Sequence, residues 1–213
     1  MIFTPKIQKA IDVSALAHRD FKRVGLDLPY VVHPFAVMLI LSQYTENEDL
    51  LCAALLHDTV EDNFSYSIDY LTREFGQGVA DLVDSVTEKR TADASGCFKE
   101  SWQERKAGYL ARLSSATEGA VLISAADTIQ NLDSLVATYE KCGPQIWKKF
   151  GASIERKLSY YRQIEAIVKV KTTCRIQDDL TCSLRRLESV LAAPLSSRVF
   201  TESLLRQSDV NSV

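Results

Sequence analysis

Side chains that can bind a divalent metal ion occur at three separate places in the chain: His33, the neighbouring pair His57 and Asp58, and Asp127. Two imidazole nitrogens together with two carboxylates suit a borderline ion such as manganese, iron or zinc. They do not suit calcium, which prefers oxygen ligands, or an iron–sulfur cluster. The chain has three histidines, so His18 is the only spare one. We therefore expect one metal ion rather than a histidine-rich binuclear site.

The pair His57–Asp58 follows an apolar run and precedes Glu61 and Asp62 in the stretch LCAALLHDTVEDN. On a helix, residues four apart share a face, so His57 would stack with Glu61 and Asp58 with Asp62. The apolar run places this edge at the core, where a carboxylate needs a cation or hydrogen bonds in place of water. The alternative is that residues 57–62 form only a solvated C-terminal turn.

The other two candidates lie in apolar surroundings. His33 opens an apolar helix in PYVVHPFAV, where a buried core or capping histidine is the alternative to a metal ligand. Asp127 lies in VLISAADTIQNL, a mostly buried helix with a polar stripe formed by Ser124, Asp127, Asn131 and Ser134. A charge in that setting needs a metal ion or a strong donor, and a salt bridge from elsewhere in the fold is the alternative.

The elements that must position these residues are predicted to be helices, because the apolar spacing is helical almost throughout. The fold class is therefore all-α. We expect one domain over residues 1–170, followed by a C-terminal helix and a flexible tail over 171–213. Thr91 to Gly96 is predicted as a mobile loop and Ser196 to Val213 as a frayed tail. The predicted helices are one ending at His18, one from His33, one from 47 or 48 to 63, and then 67–74, 77–88, 99–113, 119–139, 144–149, 152–170 and 177–192.

The bulk composition is that of a globular protein, since the 213-residue chain is 46% apolar and 25% charged. A net charge of −3 at pH 7 argues against binding to nucleic acid or a membrane surface, because both are anionic. The N-terminus has no signal-peptide pattern, and no apolar run approaches the about 18 residues of a membrane span. Five scattered cysteines without a CxxC pair indicate reduced thiols in a cytoplasmic protein. A homo-oligomer is compatible with the sequence.

The order H…HD…D resembles the signature of the HD phosphohydrolase superfamily. PYVVHPFAV, AALLHDTVEDN, FGQGVADLVDSVTEKR, QERK and AADTIQNL are similar to the hydrolase domain of RelA/SpoT-type alarmone enzymes and their stand-alone small relatives, over about residues 8 to 165. The resemblance implies the HD-domain helical fold and one manganese ion. It implies that Glu61 and Asp62 activate or position the attacking water, and that the metal ligands are His33, His57, Asp58 and Asp127.

The resemblance also implies substrate contacts. Asn131 matches the family asparagine that contacts the ribose and phosphate region of the substrate. The family's Arg-Lys pair falls on Arg23 and Val24, or on Lys22 and Arg23 if the short loop is shifted. Basic residues that the family places after the last aspartate and after the asparagine are replaced here by Thr128 and Asp133. The candidates to compensate are Lys89, Arg90, Arg105 and Lys106.

The implied reaction is removal of pyrophosphate from the 3′ position of (p)ppGpp by a metal-activated water. Two alternatives stay open on the sequence. One is a 2′- or 3′-nucleotide phosphatase, for instance on NADPH, as in some stand-alone relatives. The other is a non-catalytic HD module that binds a nucleotide.

Overall fold

The computed structural model describes residues 3–89, 101–149 and 152–193. Within these ranges the chain forms ten α-helices and one 3₁₀ helix. The only β pairing in the described ranges is an isolated bridge between Lys22 and Pro29. The all-α prediction is therefore confirmed. The predicted loop at 91–96 and the predicted tail at 196–213 lie outside the described residues.

The helices agree closely with those predicted from the apolar spacing, apart from the end of the third. Their bounds are α1 Pro5–Ala17, α2 Val32–Leu41, α3 Glu48–Leu56, α4 Thr59–Asp62, α5 Ile68–Phe75, α6 Gln77–Val86, α7 Trp102–Ser115, α8 Glu118–Cys142, the 3₁₀ helix Gly143–Lys149, α9 Ile154–Lys171 and α10 Ile176–Ala192.

Local capping explains where several helices begin. The Asn47 side chain accepts the backbone N–H groups of Asp49 and Leu50 at the start of α3. Ser101 and Glu104 form a reciprocal capping box at the start of α7. Each such cap stabilises its helix by about 1 kcal/mol. Gly76 separates α5 from α6 with a φ of 90°, a conformation that side-chain-bearing residues rarely adopt.

Two helices form the centre of the core. All six residues from Leu51 to Leu56 on α3 are buried. The long helix α8 packs against α2, α3, α6, α9, α10 and the 3₁₀ helix. Because interiors are close-packed, residues that project from α3 and α8 are held by neighbours on several sides. These two helices carry or adjoin three of the four candidate metal ligands.

The prediction of one continuous helix from residue 47 or 48 to 63 is wrong. Helix α3 ends at Leu56, His57 and Asp58 form a turn, and α4 begins at Thr59. The His57 imidazole explains the break, because its Nδ1 donates to the Ala54 carbonyl oxygen at 2.8 Å. In a continued helix that oxygen would accept the backbone N–H of residue 58. The motif is therefore a turn between two helices and not two stripes on one helix.

The C-terminal helix α10 packs against α8 and α9. Its residues Leu180, Leu184 and Leu187 belong to the same buried cluster as the centre of the protein. The division of the chain at residue 170 stays a prediction. None of the helices in the described ranges is long and apolar enough to cross a membrane. Four of the five cysteines lie in these ranges, and each is a free thiol.

Candidate active site

The four candidate metal ligands meet at one point. His33 is on the first turn of α2, His57 and Asp58 form the turn between α3 and α4, and Asp127 is on α8. The His33 Nε2 atom is 3.3 Å from Asp58 Oδ2 and 3.1 Å from Asp127 Oδ1. The His57 Nε2 atom is 3.1 Å from Asp58 Oδ2 and 3.7 Å from Asp127 Oδ1. Residues almost 100 positions apart in sequence thus form one cluster.

The outer nitrogen of each imidazole has a hydrogen-bond acceptor. His57 Nδ1 donates to the Ala54 carbonyl, and His33 Nδ1 lies 2.5 Å from Gln130 Oε1. A proton on Nδ1 leaves the lone pair of Nε2 directed at the carboxylates, the usual arrangement of a metal-binding histidine. The His57 Nε2 atom is buried and makes no hydrogen bond to any described residue. A buried, unsatisfied nitrogen beside two carboxylates fits a bound divalent metal ion.

The charges at this cluster are strongly coupled. Burial lowers the pKa of His57, but the charge of Asp58 and the contact with Asp127 outweigh burial and hold that pKa well above its ordinary value. Burial raises the pKa of Asp58, but the two imidazoles outweigh it and hold that pKa well below its ordinary value. Both carboxylates of the cluster are therefore ionised at neutral pH. Their charge requires a positive partner, either imidazolium or a metal ion.

Two neighbours hold the carboxylates in place. The Tyr30 hydroxyl donates to Asp58 Oδ2 at 2.7 Å, and Asn131 Nδ2 donates to Asp127 Oδ1 at 2.6 Å. Burial and the charge of Asp58 raise the pKa of Tyr30 well above its ordinary value, so the phenol stays a donor. Sequence reasoning did not single out Tyr30. Its signal was its place three residues before His33.

The predicted catalytic pair is divided between two environments. Glu61 lines the polar cavity next to the four candidate metal ligands. Its Oε2 accepts the backbone N–H of Glu88 at 3.0 Å. The Asp62 carboxylate is instead 3.6 Å from Nε2 of His18, and Asp62 is not among the residues that line this cavity. His18 is buried and contacts the Ser14 carbonyl through Nδ1 at 2.9 Å. The structure therefore brings Glu61, and not Asp62, into the cavity of the metal cluster.

Two adjoining cavities lie beside the cluster. The first, of about 190 Å³, is lined by His33, His57, Asp58 and Asp127 among others. The second, of about 250 Å³, extends along α8 towards Thr138. Side chains shared by both cavities are Tyr30, Lys106, Asp127, Asn131 and Tyr160. To the shared residues the second cavity adds two aromatic side chains, Trp102 and Tyr161, and two cations, Arg23 and Lys157. A ligand with a flat ring and several negative charges fits such a lining.

Of the predicted substrate contacts, Arg23 and Asn131 line the second cavity and Lys22 does not. Arg23 Nη2 donates to Gln130 Oε1 at 3.0 Å and to Asn131 Oδ1 at 3.1 Å. Its guanidinium lies over the Tyr30 ring, 5.5 Å from the centroid. The Lys22 side chain is 71% exposed and pairs with Asp27 at 2.5 Å.

The loop that carries Arg23 is held against the far end of α8. Gly25 has a φ of 77°. A side chain at Gly25 would collide with Ile146, and its Cβ would lie 3.0 Å from Cγ2 of Thr138. The close approach and the left-handed backbone both require glycine here. This contact lies beside Thr138, which lines the second cavity at a distance from the candidate metal ligands.

Of the expected cations, Arg23 and Lys106 line the second cavity, and one further cation joins them. Lys157 on α9 lines it, and sequence reasoning did not identify this residue. Burial and the neighbouring charge of Lys106 lower the pKa of Lys157 to about 8. Val24 lines the same cavity, and Thr128 donates to the Ser124 carbonyl at 2.8 Å. Lys89 pairs with Asp84 at 3.1 Å, and Arg90 lies outside the described residues.

Glu88 joins two of the sequence motifs. Its buried carboxylate accepts from Arg105 Nε at 2.6 Å and pairs with Lys106. Burial raises the pKa of Glu88, but the two cations outweigh it and hold that pKa below its ordinary value. The end of α6 is thereby tied to α7, and the backbone N–H of the same residue holds Glu61. The motif that ends in Glu88, Lys89 and Arg90 and the QERK stretch are thus linked through the contacts of Glu88 with Arg105 and Lys106.

Replacing Glu88 with glutamine is expected to lower the free energy of unfolding by about 1–3 kcal/mol, because two cations lose their buried carboxylate. Thermal or denaturant unfolding measures this. The matched control is Asp84→Asn, which removes the carboxylate of an exposed pair and should change stability by less than about 0.5 kcal/mol. Equal destabilisation by both variants would show that Glu88 has no special structural role.

Comparison with known proteins agrees with this site. Residues 10–173 match the family described as HD domain. Human guanosine-3′,5′-bis(diphosphate) 3′-pyrophosphohydrolase MESH1 is 31% identical over 167 residues, which cover 77% of this chain and 83% of that protein. The probable chloroplastic GTP diphosphokinase RSH2 of Arabidopsis thaliana is 37% identical over 134 residues, but the match covers only 18% of its length.

A solved structure shares the fold. It is described as a metazoan ortholog of SpoT that hydrolyzes ppGpp and plays a role in starvation responses. It matches with a TM-score of 0.69 at 28% identity, covering 87% of this chain and 97% of the other. The family match includes all four candidate metal ligands. The resemblance expected from the motifs is confirmed. This chain belongs to the HD domain family.

Proposed function

We propose that this protein is a metal-dependent phosphohydrolase that removes pyrophosphate from the 3′ position of (p)ppGpp. The observation that carries the proposal is the cluster of His33, His57, Asp58 and Asp127, in which the buried Nε2 atom of His57 makes no hydrogen bond to a residue that the structure describes. The cluster opens onto a cavity with aromatic and cationic walls. The name of the human relative and the description of the solved relative support this substrate.

The proposed cofactor is one Mn²⁺ ion, held by the two imidazole Nε2 atoms and the two carboxylates of the cluster. Such an ion supplies Lewis acidity, which lowers the pKa of a water molecule towards ~7 and offsets charge on a phosphoryl oxygen. A cytoplasmic location belongs to the same proposal, since free thiols suit a reducing compartment.

Glu61 is the proposed general base. Its carboxylate lines the cavity of the cluster, and the N–H of Glu88 holds one of its oxygens. The carboxylate is proposed to accept the proton of the attacking water, which is worth a factor of about 10²–10⁴ in rate. Asp62 is proposed to act less directly, since its contact is with His18.

The substrate is proposed to lie along α8. The aromatic side chains Tyr160 and Tyr161 offer faces for a base, and Arg23 and Lys157 offer charge for its phosphates. Asn131, which already bonds Asp127, can contact the ribose and phosphate region beside the metal cluster. Lys22 stays a prediction from the sequence alone, because its side chain does not line the cavity.

One observation favours a second candidate, a 2′- or 3′-nucleotide phosphatase such as one that acts on NADPH. Val24 stands on the cavity wall where the family has lysine, and Thr128 uses its hydroxyl within α8. A substrate with fewer phosphate charges needs fewer cations, and this wall offers Arg23, Lys106 and Lys157.

The experiment that separates these candidates is a Mn²⁺-supplemented assay of ppGpp and NADPH, with pyrophosphate and phosphate measured separately. Pyrophosphate release from ppGpp that stops on chelation supports the primary proposal. Phosphate release from NADPH without turnover of ppGpp assigns the second candidate. No turnover of either nucleotide, with a folded Mn²⁺-loaded protein, would contradict both and favour a binding module.

The KM for the nucleotide is expected to rise as the pH passes about 8, because Lys157 loses its proton there and with it the attraction for phosphate. The Lys157→Arg variant should not show this rise, since a guanidinium stays charged at that pH. Steady-state kinetics from pH 7 to 9 measure both, with the exposed Lys169→Arg as control. An equal rise in the Lys157→Arg variant would rule out Lys157 as its source.

A further inference from the structure

Gln130 lies between the two halves of the site. It is on α8, three residues after Asp127, and its Oε1 atom contacts two donors from different parts of the fold. One is Nη2 of Arg23 at 3.0 Å, and the other is Nδ1 of His33 at 2.5 Å. Arg23 lines the second cavity, and His33 is one of the candidate metal ligands that line the first. A single carboxamide oxygen therefore contacts one residue of the second cavity and one candidate metal ligand.

The chemistry of the three groups determines where their protons lie. A guanidinium can only donate hydrogen bonds, so Gln130 must turn its oxygen, and not its NH₂ group, towards Arg23. An oxygen can only accept, so the His33 Nδ1 atom that faces it must carry a proton. In the neutral imidazole that a metal ion requires, the remaining nitrogen, Nε2, then directs its lone pair at Asp58 and Asp127.

The opposite tautomer also has an acceptor within reach. A proton on Nε2 of His33 could be donated to Asp127 Oδ1, which lies only 3.1 Å away. That proton would occupy the position that a metal ion needs. The contact with Gln130 stabilises the tautomer that has its proton on Nδ1. The hydrogen bond from Arg23 keeps the Gln130 oxygen, and not its NH₂ group, facing His33.

We propose that Gln130 is a positioning residue that couples Arg23 to His33, so that the residue facing the nucleotide also controls the protonation pattern of a metal ligand. This inference rests on the proposed function, because it requires that the cluster binds a metal ion. The coupling is reciprocal, as linkage requires: whatever reorients Arg23 changes metal affinity, and metal binding favours the orientation of Arg23 seen here.

The first test is a Mn²⁺ titration of the full chain by calorimetry. Gln130→Met keeps the size of the side chain and removes the acceptor, and the Kd for Mn²⁺ is expected to rise about 10–100-fold. Gln130→Glu keeps an acceptor for both donors and should restore the affinity to within a few-fold of the original protein. The matched control is Gln8→Met, which alters an exposed glutamine on α1.

The second test follows the proton itself. In the Zn²⁺-loaded protein, nitrogen-correlated NMR should show a slowly exchanging proton on Nδ1 of His33, and this proton should exchange faster in Gln130→Met. Arg23→Met should also weaken Mn²⁺ binding, although its guanidinium is not part of the metal cluster. If Gln130 has only a structural role, folded Gln130→Met will show the original exchange rate for the Nδ1 proton of His33. Folded Arg23→Met will then bind Mn²⁺ with the original Kd.

The outcomes separate this inference from the proposed function. Mn²⁺ binding that is tight in the original protein and unchanged in folded Gln130→Met overturns the inference and leaves the metal centre standing. Weakened binding in Gln130→Glu equal to that in Gln130→Met also overturns it, because the acceptor would then be irrelevant. Absence of Mn²⁺ and Zn²⁺ binding in the original protein overturns the proposed function, and the inference with it.

Discussion

Asp58→Ala is expected to abolish both Mn²⁺ binding and nucleotide hydrolysis. The Asp58 Oδ2 atom is within 3.3 Å of Nε2 of both His33 and His57, so its removal takes away the group that joins the two imidazoles. Loss of a metal ion removes several kcal/mol of charge stabilisation, so turnover should fall by a factor of about 10³ or more. Calorimetric Mn²⁺ titration and a ppGpp turnover assay measure the two effects.

The control for this result must separate lost chemistry from lost folding, because Asp58 also accepts the Tyr30 hydroxyl in a buried setting. Asp58→Asn keeps the shape and the acceptor for Tyr30 but removes the charge, and we expect it to fold and still bind Mn²⁺ poorly. Asp20→Ala removes a carboxylate that is 82% exposed and should change nothing. Tight Mn²⁺ binding by either Asp58 variant would disprove its assignment as a ligand.

Glu61→Gln is expected to give the opposite pattern: Mn²⁺ binding is retained and turnover falls by a factor of about 10²–10⁴. An amide can still accept the Glu88 N–H through its oxygen, so the local structure should persist. It cannot take up the proton of an attacking water. The kcat in saturating Mn²⁺ measures the loss, and a parallel Mn²⁺ titration shows that the ion is still bound.

The matched control is Glu118→Gln, on the exposed first turn of α8. It should leave both measurements unchanged. If Glu61→Gln turns over the nucleotide at the original rate, then Glu61 is not the general base. A fall in Mn²⁺ affinity that accounts for the whole loss would place Glu61 among the metal ligands.

The sequence predicted the helices well because their apolar periodicity is local and strong. It also predicted the four residues of the cluster, since each has a chemistry that its apolar surroundings make costly without a partner. The break at His57 was missed because a side-chain contact with the Ala54 carbonyl, and not any helix-breaking residue, ends α3. Neither residue 57 nor residue 58 is a glycine or a proline, so the sequence has no helix-breaking residue at this point.

Other contacts that could not be predicted join distant segments. Gln130 and Arg23 are separated by 107 positions, and Glu88 and Lys106 belong to different helices or their ends. Lys157 reaches the cavity only because α9 packs on α8. Such pairings depend on how helices pack, which one chain's composition and spacing do not specify. Lys22 differs, since its side chain pairs with Asp27 five residues along the same loop while Arg23 lines the cavity.

Helix α8 runs beside both cavities and therefore relates ligand length to two fixed positions. Asp127, a candidate metal ligand, and Thr138, which lines the second cavity, are 11 residues apart on this helix, which corresponds to about 16 Å. The loop that carries Arg23 packs beside Thr138, because a side chain at Gly25 would meet Thr138 and Ile146. A molecule whose reacting phosphate lies at Asp127 therefore reaches this loop after about 16 Å along α8. The length of a nucleotide, as well as its charge, thus decides how it fits this site.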